Sequence, residues 1–511
     1  MTSGNLFALA VQRATLATVS RLPRHLRVVL LVLAVALLAV PAAASAAVPG
    51  TQTLKYKFGP IHITPGQNTI ELKATDQRPT VPGYITRFKP DLVRVKDGSI
   101  PRVDVLHLHH GVWLLNGNPT FAAGEEKTII DSPKGYGWSY KPSDTWLVNY
   151  MIHNLLPNED DVYMTYEIDF IPLSSPAAQG MKTVRTKWLD VEGLQAYPVF
   201  DALKGAGKKG KYTYPNDEPD AYADQRRPRN QWVVDRGGTL VGTAGHLHPG
   251  GLYTDMWLSR AGKTVRLFRS KAKYWEPAGA VSWDVAMTAT PEDWRVQVQK
   301  GDIVTVSGTY DTKRASWYES MAIMPVTWSP GDTAGKNPFV TDVDKPGKIT
   351  HGPLRENRVH GGGPGGLPDA RRLLDGPILS GNSGVPTGTS SITVNGFVYG
   401  RGDLSLTGRK GRPPVIKRGQ SLTFANKEPL KTVWHTITAC KAPCNKSTGI
   451  AYPLADAKIE FDSGQLGYGP RGFTAAANRD TWETPKNLPR GTYNYFCRVH
   501  PFMRGAFRVK N

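Results

Sequence analysis

The chain has 511 residues, with 63 lysines and arginines against 43 acidic residues, so its formal net charge is +20 at pH 7. Such a charge would suit a nucleic-acid partner. However, the basic residues are scattered through loops and no zinc-finger, RNP or helix-turn-helix pattern occurs, so a standard nucleic-acid-binding module is excluded. An anionic cell-envelope surface, either a wall polymer or lipid headgroups, is the partner that the charge favours.

The first 46 residues have the pattern of an export signal. Arginines come first, an apolar run follows, and small residues end it, namely Arg13, Arg21, Arg24, Arg27, residues 28–40 and Ala44-Ser45-Ala46. This order is typical of a secretory signal peptide, and we expect cleavage near Ala46. The apolar run is shorter than the roughly 20 residues of a membrane-spanning helix. Its extension through the alanines leaves an uncleaved membrane anchor as the alternative.

Downstream of this segment, short stretches rich in Val, Ile, Thr, Tyr and Trp alternate with Gly, Pro, Asn and Asp, as in VDVLHLHHGVWLL, VYMTYEIDFIP and DIVTVSGTYD. This composition predicts strands and turns. We therefore predict an all-β protein that contains two N-terminal jelly-roll β-sandwiches. The predicted order is a sandwich at residues 47–175, a second sandwich at 176–330, a Gly/Pro-rich linker at 331–391 and a final β-unit at 392–511.

The cysteines point to an oxidising compartment and to a metal. Cys440 and Cys444 lie in TACKAPC, close enough for a local disulfide. The third cysteine, Cys497, lies in CRVHPFM, three residues before a histidine that is itself three residues before a methionine. A blue copper centre uses two imidazoles, a thiolate and a weak axial thioether. The final unit offers one such set, and we predict a type 1 copper site formed by His435, Cys497, His500 and Met503.

Residues 392–511 resemble a cupredoxin, and CRVHPFMRG closely resembles the amicyanin variant with its short Cys-x-x-His-x-x-Met loop. The resemblance implies a Greek-key β-barrel with one blue copper that exchanges electrons with a redox partner protein or a small reductant. Pro501, Phe502 and Met503 would then form an apolar docking face around His500. The CKAPC insertion departs from small amicyanin-like domains and leaves the loop geometry open.

Upstream histidines fall into three groups, in VLHLHHGVW, NYMIHNLLP and TAGHLHPGG. Alternate residues of a strand share a face, so His246 and His248 can chelate one ion. By the same rule His107 and His109 share a face, whereas the use of His109 with His110 needs a bulge. The role of His107 stays open at this point. Clustered imidazoles suit copper, whereas zinc hydrolysis would need a general-base acid close by, and only Glu125 and Glu126 are near in sequence.

These three segments resemble the copper type II, ascorbate-dependent monooxygenases, the family of peptidylglycine hydroxylating and dopamine β-monooxygenases. LHHGVWLLNG is similar to the paired-histidine strand of that family, IHNLLP to the third ligand and GHLHPGG to the His-x-His pair. The resemblance implies an electron-storing copper in the first sandwich and an oxygen-activating copper in the second. The implied ligands are His109, His110 and His153 for the former, and His246, His248 and Met321 for the latter, with Met324 as the alternative methionine.

The chain also departs from that family. The upstream half lacks the cysteines of its disulfides, and Ala244 stands where family members have an arginine, so recognition of peptidylglycine is not implied. We expect an exported copper oxidoreductase that uses dioxygen and in which the cupredoxin relays electrons. The alternative is a non-enzymatic electron-transfer or copper-binding cell-surface protein. Three copper ions per chain would favour the former and one ion the latter.

Overall fold

The computed structural model describes residues 50–64, 70–103, 106–125, 127–154, 158–193, 198–222, 229–275, 284–313, 316–354, 391–400, 414–429, 433–440, 459–467, 479–498, 500 and 503–511. The chain divides into two compact units, Met1–Thr51 and Gln52–Asn511. The predicted signal segment lies outside the described residues. Within the described ranges, no helix is long and apolar enough to cross a membrane.

The prediction of an all-β protein is confirmed. Strands make up the regular structure of the described ranges, apart from a single 3-10 turn at Pro176–Ala178 that Ser175 caps. The strands belong to two sandwiches and a C-terminal barrel. The turn separates the last strand of the first sandwich from the first strand of the second, and it lies where the sequence changes from strand-like composition to LSSPAAQG.

The first sandwich is a jelly roll of two facing sheets, with strand orders β1-β9-β3-β7 and β2-β8-β4-β5. Its strands alternate apolar and polar residues, so that in the last of them Met164, Tyr166 and Ile168 face the core while their neighbours are partly exposed. The strands are β1 Gln52–Ile63, β2 Ile70–Ala74, β3 Gly83–Arg94, β4 Leu106–Leu115, β5 Asn118–Ala123, β6 Ile130–Asp131, β7 Tyr136–Tyr140, β8 Trp146–Asn154 and β9 Asp160–Pro172.

The second sandwich has the sheet orders β10-β22-β14-β19, β11-β21-β15 and β12-β20-β16-β17-β18-β23. Its strands are β10 Lys182–Lys187, β11 Val199–Ala202, β12 Lys211–Tyr214, β13 Gln231–Val233, β14 Gly238–Thr243, β15 His246–Leu247, β16 Gly251–Arg260, β17 Lys263–Tyr274, β18 Val285–Ala289, β19 Val296–Val298, β20 Ile303–Asp311, β21 Trp317–Ile323, β22 Val326–Pro330 and β23 Lys348–Ile349. Strand β10 pairs in parallel with β7, so one continuous nine-stranded sheet runs through both sandwiches.

The first part of the predicted linker packs against the second sandwich. Val343 is buried in the core of that sandwich, and its carbonyl oxygen accepts a hydrogen bond of 3.0 Å from the indole Nε1 of Trp294. Strand β23 extends the sheet through β18. Residues 331–354 therefore belong to the folded sandwich, while the rest of the predicted linker, residues 355–390, lies outside the described residues.

The C-terminal unit is the two-sheet Greek-key barrel that the sequence predicted, with orders β24-β26-β29 and β25-β31-β30-β27-β28. Its strands are β24 Ser391–Val394, β25 Val415–Lys417, β26 Thr423–Asn426, β27 Thr438–Cys440, β28 Ile459–Asp462, β29 Thr481–Glu483, β30 Gly491–Phe496 and β31 Arg504–Lys510. The predicted disulfide between Cys440 and Cys444 falls on side chains outside the described residues.

The barrel and the second sandwich share a polar contact around Arg498. The guanidinium of Arg498 is 1% exposed, lies 4.9 Å from the ring centre of Tyr318, and donates to Asp462 Oδ2 at 2.7 Å and to the carbonyl oxygen of Ser316. The hydroxyl of Tyr318 donates to the same carboxylate at 3.0 Å. Because Arg498 directly follows Cys497, this contact fixes the end of β30 against strand β21.

Candidate metal centres

Three predicted ligands of the barrel meet in its interior. His435 Nδ1 lies 3.1 Å from His500 Nδ1, and Cys497 Sγ lies 3.9 Å and 3.8 Å from these two nitrogens. All three side chains are completely buried. Among the described residues, they form the one group of three or more His, Cys, Asp or Glu donors that lie within 4.8 Å of one another.

This donor set fits a type 1 copper ion. Nitrogen and thiolate ligands about 2.0–2.3 Å from a common ion in a trigonal plane lie roughly 3.5–3.8 Å apart. The separations of 3.1, 3.9 and 3.8 Å come close to that arrangement. Burial alone would raise the pKa of the Cys497 thiol, but the two imidazoles beside it lower the pKa well below its ordinary value. The sulfur is therefore held in the thiolate form that binds metal.

Two backbone hydrogen bonds connect Cys497, His500 and Met503. Cys497 N donates to Met503 O at 3.2 Å, and Met503 N donates to His500 O at 2.8 Å. Met503 is completely buried, which places the predicted axial residue inside the barrel. The sulfur of Cys497 also accepts backbone N–H groups from Thr436 at 3.4 Å and from His500 at 3.3 Å. Such hydrogen bonds around the thiolate tune the redox potential of a blue copper site.

A buried carboxylate that the sequence analysis did not identify orients His435. The ring donates Nε2–H to Glu428 Oε1 at 3.1 Å, which leaves Nδ1 for a metal. Glu428 also accepts the backbone N–H groups of Gly396 and Phe397 at 3.0 Å and 2.9 Å. Although burial alone would lower the pKa of His435, its contacts with Cys497 and Glu428 raise that pKa to about 9. The available signal was an acid in FANKEP, seven residues before His435.

An aromatic ring covers the two imidazoles of this site. Phe397 lies edge-on to His435 and His500, with ring centres 5.6 Å and 5.0 Å apart, and its φ of 59° lies in the left-handed region. His500 has no exposed surface and faces His153 of the first sandwich, with ring centres 5.9 Å apart. The predicted docking face around His500 thus meets the chain itself at His153. The predicted collar residues Pro501 and Phe502 lie outside the described residues.

The upstream histidines are placed by a bulge in strand β4. The register shifts between Leu108 and His110, so Leu108 faces the sandwich core while His109 and His110 both lie on the outer side. This is the bulge that the sequence analysis required for the use of both residues. His107 stands directly opposite His153 on the neighbouring strand β8. The strand is buried except at Leu114, because the second sandwich covers its outer face.

The structure brings histidines of both sandwiches into one cluster. Ring centres lie 5.1 Å apart for His107 and His153, and 4.7 Å apart for His109 and His248. His246 and His248 lie 5.3 Å apart. The sequence analysis implied two sites in separate sandwiches, whereas these rings are in contact across the boundary between the sandwiches.

Hydrogen bonds fix the orientation of several rings in the cluster. His107 donates Nδ1–H to Val103 O at 2.6 Å, and His248 donates Nδ1–H to Glu319 O at 2.6 Å. A histidine that donates Nδ1–H to a backbone carbonyl in this way is the usual tautomer for metal ligation through Nε2. His110 donates Nε2–H to Asn149 Oδ1 at 2.9 Å. Burial lowers the pKa of His107 and of His110 to about 4, so both are neutral near pH 7.

The structure separates the two candidate methionines. Strand β15 pairs with β21 so that His246 stands opposite Ile323 and Leu247 opposite Ala322, and the backbone N–H groups of His248 and Met321 both donate to the hydroxyl of Tyr310. Met321 packs in the cluster of apolar residues at the boundary between the sandwiches, whereas Met324 lies in the core of the second sandwich. Met321 is thus on the side of His248, although its assignment as a ligand stays a prediction.

A tyrosine and a glycine hold this second segment in place. The hydroxyl of Tyr310 accepts backbone N–H groups from His248 and Met321, each at 3.1 Å, and donates to Met321 O at 2.5 Å. Gly250 ends HLHPG with a φ of 92°, and a Cβ there would lie 2.3 Å from Trp317 Cδ2. The turn after His248 therefore requires glycine for its backbone angle and for its close approach to Trp317.

Comparison with known proteins finds similarity to solved copper proteins. A purple cupredoxin from Nitrosopumilus maritimus is 19% identical over 24% of this chain and 99% of its own, with a TM-score of 0.16. Auracyanin A, a blue copper protein from Chloroflexus aurantiacus, is 19% identical over 24% of this chain and all of its own, with a TM-score of 0.17. A copper-containing nitrite reductase from Thermus scotoductus is 12% identical over 54% of this chain and 59% of its own, with a TM-score of 0.14. No protein-family model and no curated protein matches the chain.

Proposed function

We propose that the protein is a copper oxidoreductase whose C-terminal barrel carries a type 1 electron-transfer centre. One observation carries the proposal, namely the convergence of His435, Cys497 and His500 in a buried pocket of the barrel. Met503, buried in the same loop, would be the axial ligand. Copper bound there would supply reversible one-electron transfer. Glu428, Thr436 and Phe397 would position the ligands and shield them from water.

The proposal extends to a catalytic module in the sandwiches. His109, His110 and His153 would hold an electron-storing copper, and His246, His248 and Met321 an oxygen-activating copper, with dioxygen as co-substrate. The contact between His153 and His500 supports this reading, because a bundle of histidines directly beside the blue site is where its electrons would be used. The substrate would be a molecule with an oxidisable C–H bond.

A non-enzymatic electron carrier or copper-binding surface protein is the second candidate. It is favoured by the donor geometry, since among the described residues only His435, Cys497 and His500 converge to within 4.8 Å. One copper ion per chain would follow from that reading. In either case we propose export to the cell envelope, electron supply by a redox protein or small reductant, and contact of the basic surface with anionic polymers or lipids.

The decisive experiment is copper loading of the purified chain. The wild-type protein should show intense visible absorption and the narrow copper hyperfine splitting of a type 1 site, and Cys497→Ser should lose both while it keeps its far-UV circular dichroism. As a control, Cys440→Ser combined with Cys444→Ser should keep the colour. A colourless copper-loaded wild type would refute the proposed function. Substrate-dependent oxygen uptake then separates an enzyme from a carrier.

A further inference from the structure

Resting on the proposed function, we infer that His107, His109 and His153 form a second copper site in the first sandwich, directly beside the blue centre. This set replaces the ligands named above for the electron-storing copper, because it contains His107 in place of His110. The site would bind a copper ion through three imidazoles, with Glu125 as the acidic group next to it.

The arrangement of the three imidazole rings favours a shared metal ion. Imidazoles bound to one ion at about 2.0–2.1 Å bring their ring centres to roughly 5–6 Å from one another. The centres lie 5.1 Å apart for His107 and His153, 6.2 Å for His107 and His109, and 6.4 Å for His109 and His153. For comparison, the two imidazoles of the blue site lie 5.0 Å apart. A small inward rotation of His109 would close the set around an ion.

The burial and hydrogen bonding of His153 also favour a metal ion. This ring is 3% exposed, and neither of its nitrogens has a hydrogen-bond partner among the described residues. A buried imidazole without a hydrogen bond costs free energy, about 1–3 kcal/mol for an unsatisfied polar group. A metal ion coordinated by one of these nitrogens would remove that cost.

The surroundings of His107 favour this residue as a ligand. Its Nδ1–H group is held by Val103 O, and its Nε2 lies 3.5 Å from Glu125 Oε1. Glu125 is completely buried, and a buried carboxylate is expected where it can compensate a positive charge. His107 stands directly opposite His153 on strand β8, whereas His110 stands opposite Met151 and donates Nε2–H to Asn149. His107 is thus better placed than His110 to share an ion with His153.

The location of the site gives it a role. His153 contacts His500 on one side, and His109 contacts His248 on the other, with ring centres 5.9 Å and 4.7 Å apart. A copper ion held here would stand between the blue centre and the His-x-His segment of the second sandwich. It would accept one electron from the blue copper and pass that electron to the copper proposed at His246, His248 and Met321, so that it is reduced and reoxidised without any bond being made or broken.

The test uses the full chain with Cys497→Ser, which removes the blue site, and copper salt alone as the probe. This protein should still bind copper tightly through His107, His109 and His153, with a non-blue electron paramagnetic resonance spectrum that shows nitrogen coupling. In the same background His153→Gln and His107→Gln should each weaken copper binding by about 100-fold or more, beyond the effect of outer groups. His62→Gln is the matched control, because His62 is an exposed histidine of the same sandwich that pairs with Asp161.

Unchanged circular dichroism and thermal unfolding of the metal-free variants would show that the fold persists. Absence of a bound ion in Cys497→Ser would overturn the inference, as would full affinity in both glutamine variants, or a loss produced by His110→Gln but not by His107→Gln. A blue wild type with no second ion refutes this site and leaves the proposed function intact. A colourless wild type that still binds the second ion refutes the proposed function and leaves this site intact.

Discussion

Glu428 and His435 form a completely enclosed pair in which the imidazole Nε2 lies 3.1 Å from the carboxylate Oε1. The carboxylate also holds the backbone that carries Phe397, at 2.9 Å. A single side chain therefore sets both the orientation of a metal ligand and the position of the ring that covers it. The pKa of Glu428 is lowered, because its hydrogen bonds with His435 and with the backbone outweigh its burial.

We expect Glu428→Gln to weaken copper binding at the blue site by about 10- to 100-fold, the usual effect of a lost outer partner. Glutamine retains one acceptor oxygen, so it cannot serve both His435 and the two backbone N–H groups. Competition with a copper chelator measures the affinity. Glu483→Gln, an exposed acid of the same barrel, should bind copper like the wild type. Equal affinity in the two variants would contradict the proposed role of Glu428.

Arg498→Ala should lower the free energy of unfolding by about 3 kcal/mol, because it leaves the Asp462 carboxylate without its buried cation. The variant also removes the guanidinium from the ring of Tyr318 and from the carbonyl of Ser316. Urea unfolding followed by tryptophan fluorescence measures the change. Arg490→Ala is the control, since Arg490 is exposed. A difference below about 1 kcal/mol would place this contact among ordinary surface ion pairs.

Tyr310→Phe should destabilise the segment that carries His248. The variant removes one hydroxyl that serves three backbone groups, those of His248 N, Met321 N and Met321 O. The cost should be about 1–3 kcal/mol, since these groups are buried. Hydrogen exchange of residues 246–251 should accelerate in the variant. Tyr253→Phe keeps the ring on which Arg269 stacks and should leave the exchange unchanged. Equal protection in the two variants would exclude the hydroxyl as the anchor.

Asp201 should make stability depend on pH. Burial raises the pKa of its carboxyl to about 7 in the folded protein, against about 3.9 when unfolded. Between these values the folded state holds the extra proton, so the stability contribution is present at low pH and is lost as pH rises to about 7. Asp201→Asn should therefore gain stability relative to the wild type between pH 5 and pH 8. Urea unfolding at both pH values measures the gain.

The control for Asp201 is Asp220→Asn, because Asp220 is exposed on the same sandwich. Its stability should follow that of the wild type at both pH values. If Asp201→Asn also followed the wild type, the carboxyl of Asp201 would be ionised throughout this range.

Much of the fold could be predicted from local patterns. Alternation of apolar and polar residues, as in VYMTYEIDFIP, is enough to predict a strand with one buried face, and it does so at β9. The meeting of Cys497 with His500 in the barrel could also be predicted, since the two residues are only three positions apart. His435 followed because the unit has only one other histidine. Short spacing and limited choice make such predictions possible.

The contacts between sandwiches could not be predicted in the same way. The contacts of His109 with His248 and of His153 with His500 depend on how the two sandwiches and the barrel pack against one another. No periodicity in a single strand carries that information. The outward direction of both His109 and His110 depends on a bulge, which the sequence permits but does not specify. Glu428 was missed because it lies outside the strands, and its contact with His435 depends on tertiary packing.

The parallel pairing of β7 with β10 has a mechanical consequence. In this pairing, β10 places Lys182, Thr183 and Val184 beside Tyr136, Gly137 and Trp138 of β7. Backbone hydrogen bonds therefore join one sandwich directly to the other. A hinge motion between the two sandwiches would have to break all of these backbone hydrogen bonds at once. Opening and closing of the two sandwiches about this strand pairing is therefore disfavoured, and the histidine cluster at their boundary is held in one fixed arrangement.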